Sequence, residues 1–216
     1  MPRELVCRAR KVCYSMIIAI INYGVGNLFS IKRSFERIGC RAKICLDAED
    51  LKKSDAIVLP GVGNFMAGSE KIGRIKDALL SLIIDEGLPV LGICLGMHLL
   101  FPKSDEGYGS GLNIFSGRVV KLPRSVKVPH MGWNNLKIIR QTAILDGICE
   151  KSYFYFAHSY HVSPEDRNII AAETMYGVSF PSVISSGNIF GVQFHPEKSE
   201  KPGEQIMRNF VKIISR

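Results

Sequence analysis

The sequence predicts a single α/β domain: a central, mostly parallel sheet flanked by helices, with an added β-rich segment. Three observations carry that expectation. Short apolar runs alternate with helical spacing from Met16 to Ile93, glycine-rich loops follow those runs, and after Gly107 the pattern changes to successive short strands. In such βαβ order the loops that do chemistry lie at the carboxyl ends of the strands, where residues 22–27, 60–63 and 94 all fall.

Each element has its own signal. Residues 17–21 are continuously apolar, as in a strand buried on both faces. Residues 28–38 have helical spacing and stop at Gly39; residues 41–46 form a second strand, 47–54 a short charged connection and 56–59 a third strand. A long amphipathic helix over about 69–86 precedes the strand 89–93. The distal strands are expected at 113–122, 126–139, 153–162 and 169–174, with a hairpin around Ser185-Ser186-Gly187-Asn188 and a closing helix over about 202–214.

Composition narrows the function classes. The 216 residues are 46% hydrophobic and 22% charged, ordinary for a globular chain with a sizeable core. The six cysteines, Cys7, Cys13, Cys40, Cys45, Cys94 and Cys149, show no close pair and no histidine at zinc spacing, so neither a disulfide framework nor a metal site is expected. No cofactor is expected either, and a reducing cytoplasmic compartment is the default. The net charge of +8 comes from Lys and Arg spread along the chain without interleaved aromatics, which argues against nucleic acid. No run approaches the ~20 apolar residues of a membrane span. Arg3, Arg8, Arg10 and Lys11 precede the apolar run at Met16, but the run is short and no small-residue cleavage site follows. The signal-peptide reading of residues 1–15 fails on both counts, and no function is assigned to them.

Gly92-Ile93-Cys94-Leu95-Gly96 places a cysteine between glycines where a strand gives way to a helix. A turn sharp enough to expose that side chain needs glycine where backbones crowd. The positive end of a following helix favours thiolate, and the Leu95 amide is free to bind an oxyanion. A buried core cysteine is the competing reading. Downstream, Gly191-Val192-Gln193-Phe194-His195-Pro196-Glu197 offers a base with a carboxylate two residues on, on one face if the segment is a strand. His195 can take the thiol proton and return it to a leaving amine while Glu197 holds the ring. Taken singly, His195 would be a hydrogen-bonded strand-end histidine and Glu197 a solvated carboxylate.

Two loops complete the pattern. Pro60-Gly61-Val62-Gly63 can turn a peptide N–H toward the nucleophile, or be an ordinary β-to-α turn. Tyr23-Gly24-Val25-Gly26-Asn27 lacks the third glycine and the acidic partner of a dinucleotide loop, which favours a tight turn with Asn27 capping the next helix.

The segments Ile20-Ile21-Asn22-Tyr23-Gly24-Val25-Gly26-Asn27, Leu59-Pro60-Gly61-Val62-Gly63, Gly92-Ile93-Cys94-Leu95-Gly96-Met97, Pro129-His130-Met131-Gly132-Trp133-Asn134, His158-Ser159-Tyr160 and His195-Pro196-Glu197-Lys198-Ser199 resemble those of the class I (triad) glutamine amidotransferases. More narrowly, they resemble the glutaminase subunits of imidazole glycerol phosphate synthase, from Met16 to the C-terminus; such subunits usually begin at the position of Met16, which implies residues 16–216 as the amidotransferase domain and residues 1–15 as a mobile N-terminal extension or the product of an upstream start codon. The resemblance implies a flavodoxin-like fold, a Cys94-His195-Glu197 triad, and L-glutamine hydrolysed through a thioester. Gly61, Val62, Gly63, Leu95 and His98 would serve the oxyanion and substrate. It also implies a (β/α)8 cyclase subunit as heterodimeric partner, receiving ammonia through a channel, with Trp133, Asn134, Tyr160 and Lys198 near the interface. Trp133 equally fits a core position.

The chain departs from the family pattern at three points. His98 stands where glutamine is usual, Asn22 where aspartate is, and Pro102 shortens the helix after Cys94. A neutral imidazole offers one donor and one acceptor in a geometry unlike that of an amide. Rival functions are an amidotransferase subunit serving another acceptor, a non-catalytic flavodoxin-like module, and a cysteine hydrolase of the related peptidase type. The first is disfavoured by the Pro-Gly-Val-Gly and Pro-His-Met-Gly-Trp-Asn segments.

Overall fold

The structure, a computed structural model, describes residues 16–24 and 27–215. The expected extension 1–15, with Val25 and Gly26, lies outside those residues. The apolar runs become β1 (Ile17–Ile21), β2 (Arg41–Cys45), β3 (Ala56–Leu59) and β4 (Val90–Ile93). The distal half supplies β5 (Gly117–Lys121), β6 (His130–Asn135), β7 (Lys137–Ile138), β8 (Tyr153–His158), β9 (Tyr160–Pro164), β10 (Ile170–Tyr176), β11 (Val178–Ser186) and β12 (Ile189–Val192).

Eight strands form one sheet in the order β2-β1-β3-β4-β12-β11-β10-β7. The run from β2 to β12 is parallel and the remainder antiparallel. The pairs β5–β9 and β6–β8 stand apart as two-stranded sheets, the expected β-rich addition. The stretch expected as one strand at 126–139 is interrupted at buried Leu136, and that at 153–162 at Ser159. The hairpin forms as expected: Ser186 faces Ile189 across Gly187, whose φ of +53° suits glycine.

Alternation along the strands sorts the core onto both faces. Ile18, Ile20, Val58, Leu91 and Ile93 pack with Phe35 and Phe210, whereas Ala19, Ile21, Ile57, Leu59 and Val90 pack with Phe65, Ile72 and Leu79. Phe35 and Phe210 are fully buried and meet edge to face at 6.4 Å. Each such ring contributes ~1.5–3 kcal/mol through burial. They come from α1 (Leu28–Arg37) and from α6 (Glu200–Ile214), described below with the other helices.

The end of α1 shows how one glycine sets a boundary. Gly39, at φ +96°, donates to Glu36 O at 3.0 Å, and Cys40 donates to Phe35 O at 3.1 Å, closing the helix by paired return bonds. The charged connection after β2 holds α2 (Ala48–Leu51), where the Asp47 carboxylate accepts from Asp50 N at 3.0 Å. Asn27 precedes α1, but its side chain makes no cap hydrogen bond; its carbonyl accepts from Ser30 N and Ile31 N instead.

The single helix expected at 69–86 is corrected. Asn64 starts α3 (Phe65–Gly73) earlier by accepting from Met66 N and Ala67 N. A tight turn at Arg74 and Ile75 then separates it from α4 (Lys76–Leu80), and a π-helical turn, Ser81–Asp85, follows. Amphipathic spacing hid the asparagine cap and the break after Gly73. After β4 comes α5 (Leu95–His98), a single turn, and α6 closes the chain; Pro202 is accommodated in its first turn, where no N–H is needed.

The elbow at β4 depends on close backbone packing. A Cβ on Gly96 would overlap the Leu59 carbonyl, and one on Gly92 would meet Gly96 O at 2.7 Å. Gly96→Ala is therefore expected to destabilise by about 1–3 kcal/mol. At about 2–4 °C per kcal/mol for this chain length, the midpoint falls by several degrees. Circular-dichroism melting checks it, and an unchanged midpoint would show that β3 and α5 separate freely.

Candidate active site

Cys94 sits at the corner between β4 and α5 with φ +50° and ψ −104°, a conformation that L side chains rarely adopt. Its N–H donates to Val192 O at 2.7 Å and its carbonyl accepts from His98 N at 3.1 Å, so β12 and α5 both hold the corner. Because α5 is one turn long, its dipole supplies little positive field, and donors beside the sulfur matter more than the sequence suggested.

β12 runs beside β4 and carries the chain to His195. The strand ends at Val192, so His195 and Glu197 do not share a strand face as expected. His195 instead precedes a 3-10 turn, Pro196–Lys198, that folds Glu197 back until its Oε1 lies 3.0 Å from His195 Nδ1. Both side chains are almost completely buried. Ser199 braces the turn, donating to His195 O at 2.6 Å and accepting from Tyr155 N at 2.9 Å. A carboxylate only accepts, so Nδ1 carries a proton; Nε2 has no formed hydrogen bond. Burial opposes a charged ring, yet interaction with Cys94 and Glu197 outweighs it and lifts the His195 pKa to about 10.

Cys94 opens into a small pocket of about 160 Å³. Gly61, Val62, Gly63, Leu95 and His98 line it, so the expected oxyanion and substrate residues gather around the sulfur. A Cβ on Gly61 would overlap the Ile93 carbonyl, which places this loop directly on the backbone of the elbow. Buried Tyr23 donates its hydroxyl to Pro60 O; burial and the charge of Cys94 push its pKa well up, so the donor keeps its proton.

Three functional candidates escaped the sequence reading. Glu106 lines the pocket from the loop after Pro102 and accepts from Phe65 N at 2.7 Å; burial raises its carboxyl pKa. A carboxylate between aspartate and glycine in a loop reads as solvated until the fold turns it inward. Gln193, fully buried, accepts from His98 Nε2 at 2.9 Å and donates to Cys94 Sγ at 3.5 Å. Its position two residues before His195 was the available signal. Tyr23 is the third, hidden in a loop read only for its glycines.

The expected interface residues divide. Trp133 is 49% exposed, which removes the core reading. It meets Tyr155 edge to face at 5.8 Å, and Lys198 Nζ lies 5.5 Å from the same ring. Asn134 is close by in β6, donating to Met175 O at 3.1 Å. Tyr160 lines the Cys94 pocket instead.

Behind that face His130 and His158 pair across β6 and β8. Tyr160 O accepts from His158 Nδ1 at 2.9 Å, which leaves His158 Nε2 to accept from His130 Nδ1 at 3.0 Å. Burial pushes His130 and His98 down to about 4, His158 well down and His161 down. Among the described residues no cluster of three ligating side chains could hold a metal, and no helix is long and apolar enough to cross a membrane.

Comparison with known proteins decides the family. The model of "Glutamine amidotransferase class-I" matches residues 19–214, nearly the whole chain. This chain belongs to the class-I glutamine amidotransferases. It is an enzyme of that type, and it is 48% identical over 202 residues to imidazole glycerol phosphate synthase subunit HisH of Archaeoglobus fulgidus, covering 93% of this chain and 100% of that one. The HisH subunit of Methanocaldococcus jannaschii is 46% identical over 199 residues, covering 92% and 100%. Among solved structures, that of PurLQS from Thermotoga maritima matches with a TM-score of 0.75 at 17% identity, covering 92% of this chain and 99% of that one. That likeness shows a shared fold across nearly the whole of both chains.

The buried histidines give this amidotransferase a defined acid response. His98, His130, His158 and His161 refuse protons in the folded state, whereas the unfolded chain binds them below about 6.5. Stability is present above that value and lost as pH falls toward 4. His195, raised, has the opposite sign: its contribution is fully present below the unfolded value and is lost only as pH rises toward 10, so it does not fall with the others. The unfolding midpoint is expected to fall steadily from pH 7 to pH 4; a flat profile would mean that these rings ionise inside the fold.

Proposed function

We propose that this chain is the glutaminase subunit of an imidazole glycerol phosphate synthase in histidine biosynthesis, hydrolysing glutamine through Cys94, His195 and Glu197. The observation that carries the reading is the strained Cys94 corner, beside a fully buried His195–Glu197 pair and inside one pocket with the Gly61–Gly63 loop. The names of the relatives support the pathway and the subunit role.

In this mechanism the Cys94 thiolate attacks the side-chain amide carbon of glutamine. The oxyanion is held by the Leu95 amide and an amide of the 61–63 loop; losing one such donor typically costs about 3–4 kcal/mol of barrier. His195, held as imidazolium by Glu197, gives its proton to the departing ammonia, leaving a γ-glutamyl thioester. Water then attacks, His195 takes its proton, and glutamate leaves. Glu106 receives the substrate's α-ammonium at the pocket wall. The ammonia passes through a channel to a (β/α)8 cyclase subunit. There it combines with a phosphoribulosyl-formimino aminoimidazole carboxamide ribonucleotide, yielding imidazole glycerol phosphate and aminoimidazole carboxamide ribonucleotide. Trp133, Asn134 and Lys198 carry the docking face, with Tyr160 between it and the pocket.

Glutamate release is the direct test, measured for the chain alone and mixed with a cyclase subunit and its ribonucleotide. Strong release in the loaded complex, abolished in Cys94→Ala, is expected; release that survives Cys94→Ala would sink the triad, and equal release without the cyclase would sink partner gating. His98→Gln is expected to lower the glutamine KM, because an amide at the pocket wall both donates and accepts. An unchanged or higher KM removes His98 from substrate contact.

A further inference from the structure

We infer that Gln193, aimed by His98, is a second hydrogen-bond donor to the Cys94 sulfur and helps set the reactivity of that thiol. The inference rests on the proposed role of Cys94 as nucleophile and adds two residues to it. Gln193 follows β12 and His98 ends α5, so the arrangement depends on the same β4–β12 pairing that brings His195 to the site.

The argument follows the protons. Gln193 is fully buried and His98 is 4% exposed. Buried polar groups of this kind adopt the orientation that satisfies each partner. With His98 Nε2–H donating to Gln193 Oε1 at 2.9 Å, the other end of the amide must present N–H to Cys94 Sγ, 3.5 Å away. The reversed amide would place an oxygen lone pair against the sulfur, which a thiolate repels. Burial keeps His98 neutral, so the ring carries one N–H, and opposite the Gln193 carbonyl oxygen that proton sits on Nε2. A one-turn α5 provides little helix field, which leaves side-chain donors to favour the thiolate. Gln193 then stabilises the sulfur from one side while His195 serves it from another. By this account Gln193 is a catalytic residue and His98 its positioning residue.

Peptide-resolved alkylation with iodoacetamide at pH 7 tests this on the full chain. A hydrogen bond to a charged acceptor changes the thiolate population by roughly tenfold or more. Part of that is returned because a more basic thiolate is a better nucleophile, so Gln193→Leu is expected to slow Cys94 modification by about three- to tenfold. His98→Phe should slow it by a similar factor, since the amide is then free to turn. His98→Gln restores a donor and should keep most of the parental rate. Cys40 and Cys45, both buried, report folding in the same sample. The excess of Cys94 labelling over theirs is the folded-state rate, so partial unfolding of a variant does not obscure the result. An unchanged rate in Gln193→Leu overturns the inference, and slowing in that variant without slowing in His98→Phe overturns the part played by His98. Glutamate release separates the two levels: activity lost in Cys94→Ala with alkylation unchanged in Gln193→Leu defeats only this inference. Activity retained in Cys94→Ala defeats the reading beneath it.

Discussion

Between Ile93 and Leu95 the chain turns from strand to helix within one residue, and the seating of Gly96 against the Leu59 carbonyl makes the turn possible. Any Cβ there would push α5 off β3. Gly61, pressed on the Ile93 carbonyl from the neighbouring loop, closes the same arrangement from above. Gly92 in β4, Gly96 in α5 and Gly61 in the loop after β3 thus bear on one sulfur. The cores on either face of the sheet keep those strands in place, with Phe35 and Phe210 on one side and Phe65 and Leu79 on the other.

Protonation is divided with similar economy. His195 and His158 are both buried imidazoles, yet they hold opposite charge preferences. The first faces a buried carboxylate; the second faces a backbone carbonyl and another neutral ring. Environment rather than residue type decides which histidine carries charge. With His98, His130, His158 and His161 kept neutral by burial, His195 is the one raised imidazole among the described residues.

The parts legible in the sequence were those that depend on local chemistry. Apolar runs marked β1 to β4, Gly39 marked the end of α1, and the glycines around Cys94 marked the elbow, because each constraint acts within a few residues. What escaped depends on distant partners. Glu106 looks like a solvated carboxylate until the loop after Pro102 folds over Phe65. Gln193 looks like the polar member of an apolar strand until β12 pairs with β4. The meeting of His195 and Glu197 was foreseen for the wrong reason, since a 3-10 turn and not a pleat brings them together. The helix break after Gly73 was missed because amphipathic spacing continues through it.

The pairing of β4 with β12 also orders events in time. Val90 faces Ile189, so Cys94 and His195 are brought together across nearly half the chain. A nascent polypeptide that has emerged only through β4 carries the elbow as the open edge of an incomplete parallel sheet, without His195 or Glu197. Such non-local pairing is slow to form and comes late. A chain that stops short of β12 therefore holds the Cys94 corner without the buried His195–Glu197 pair beside it.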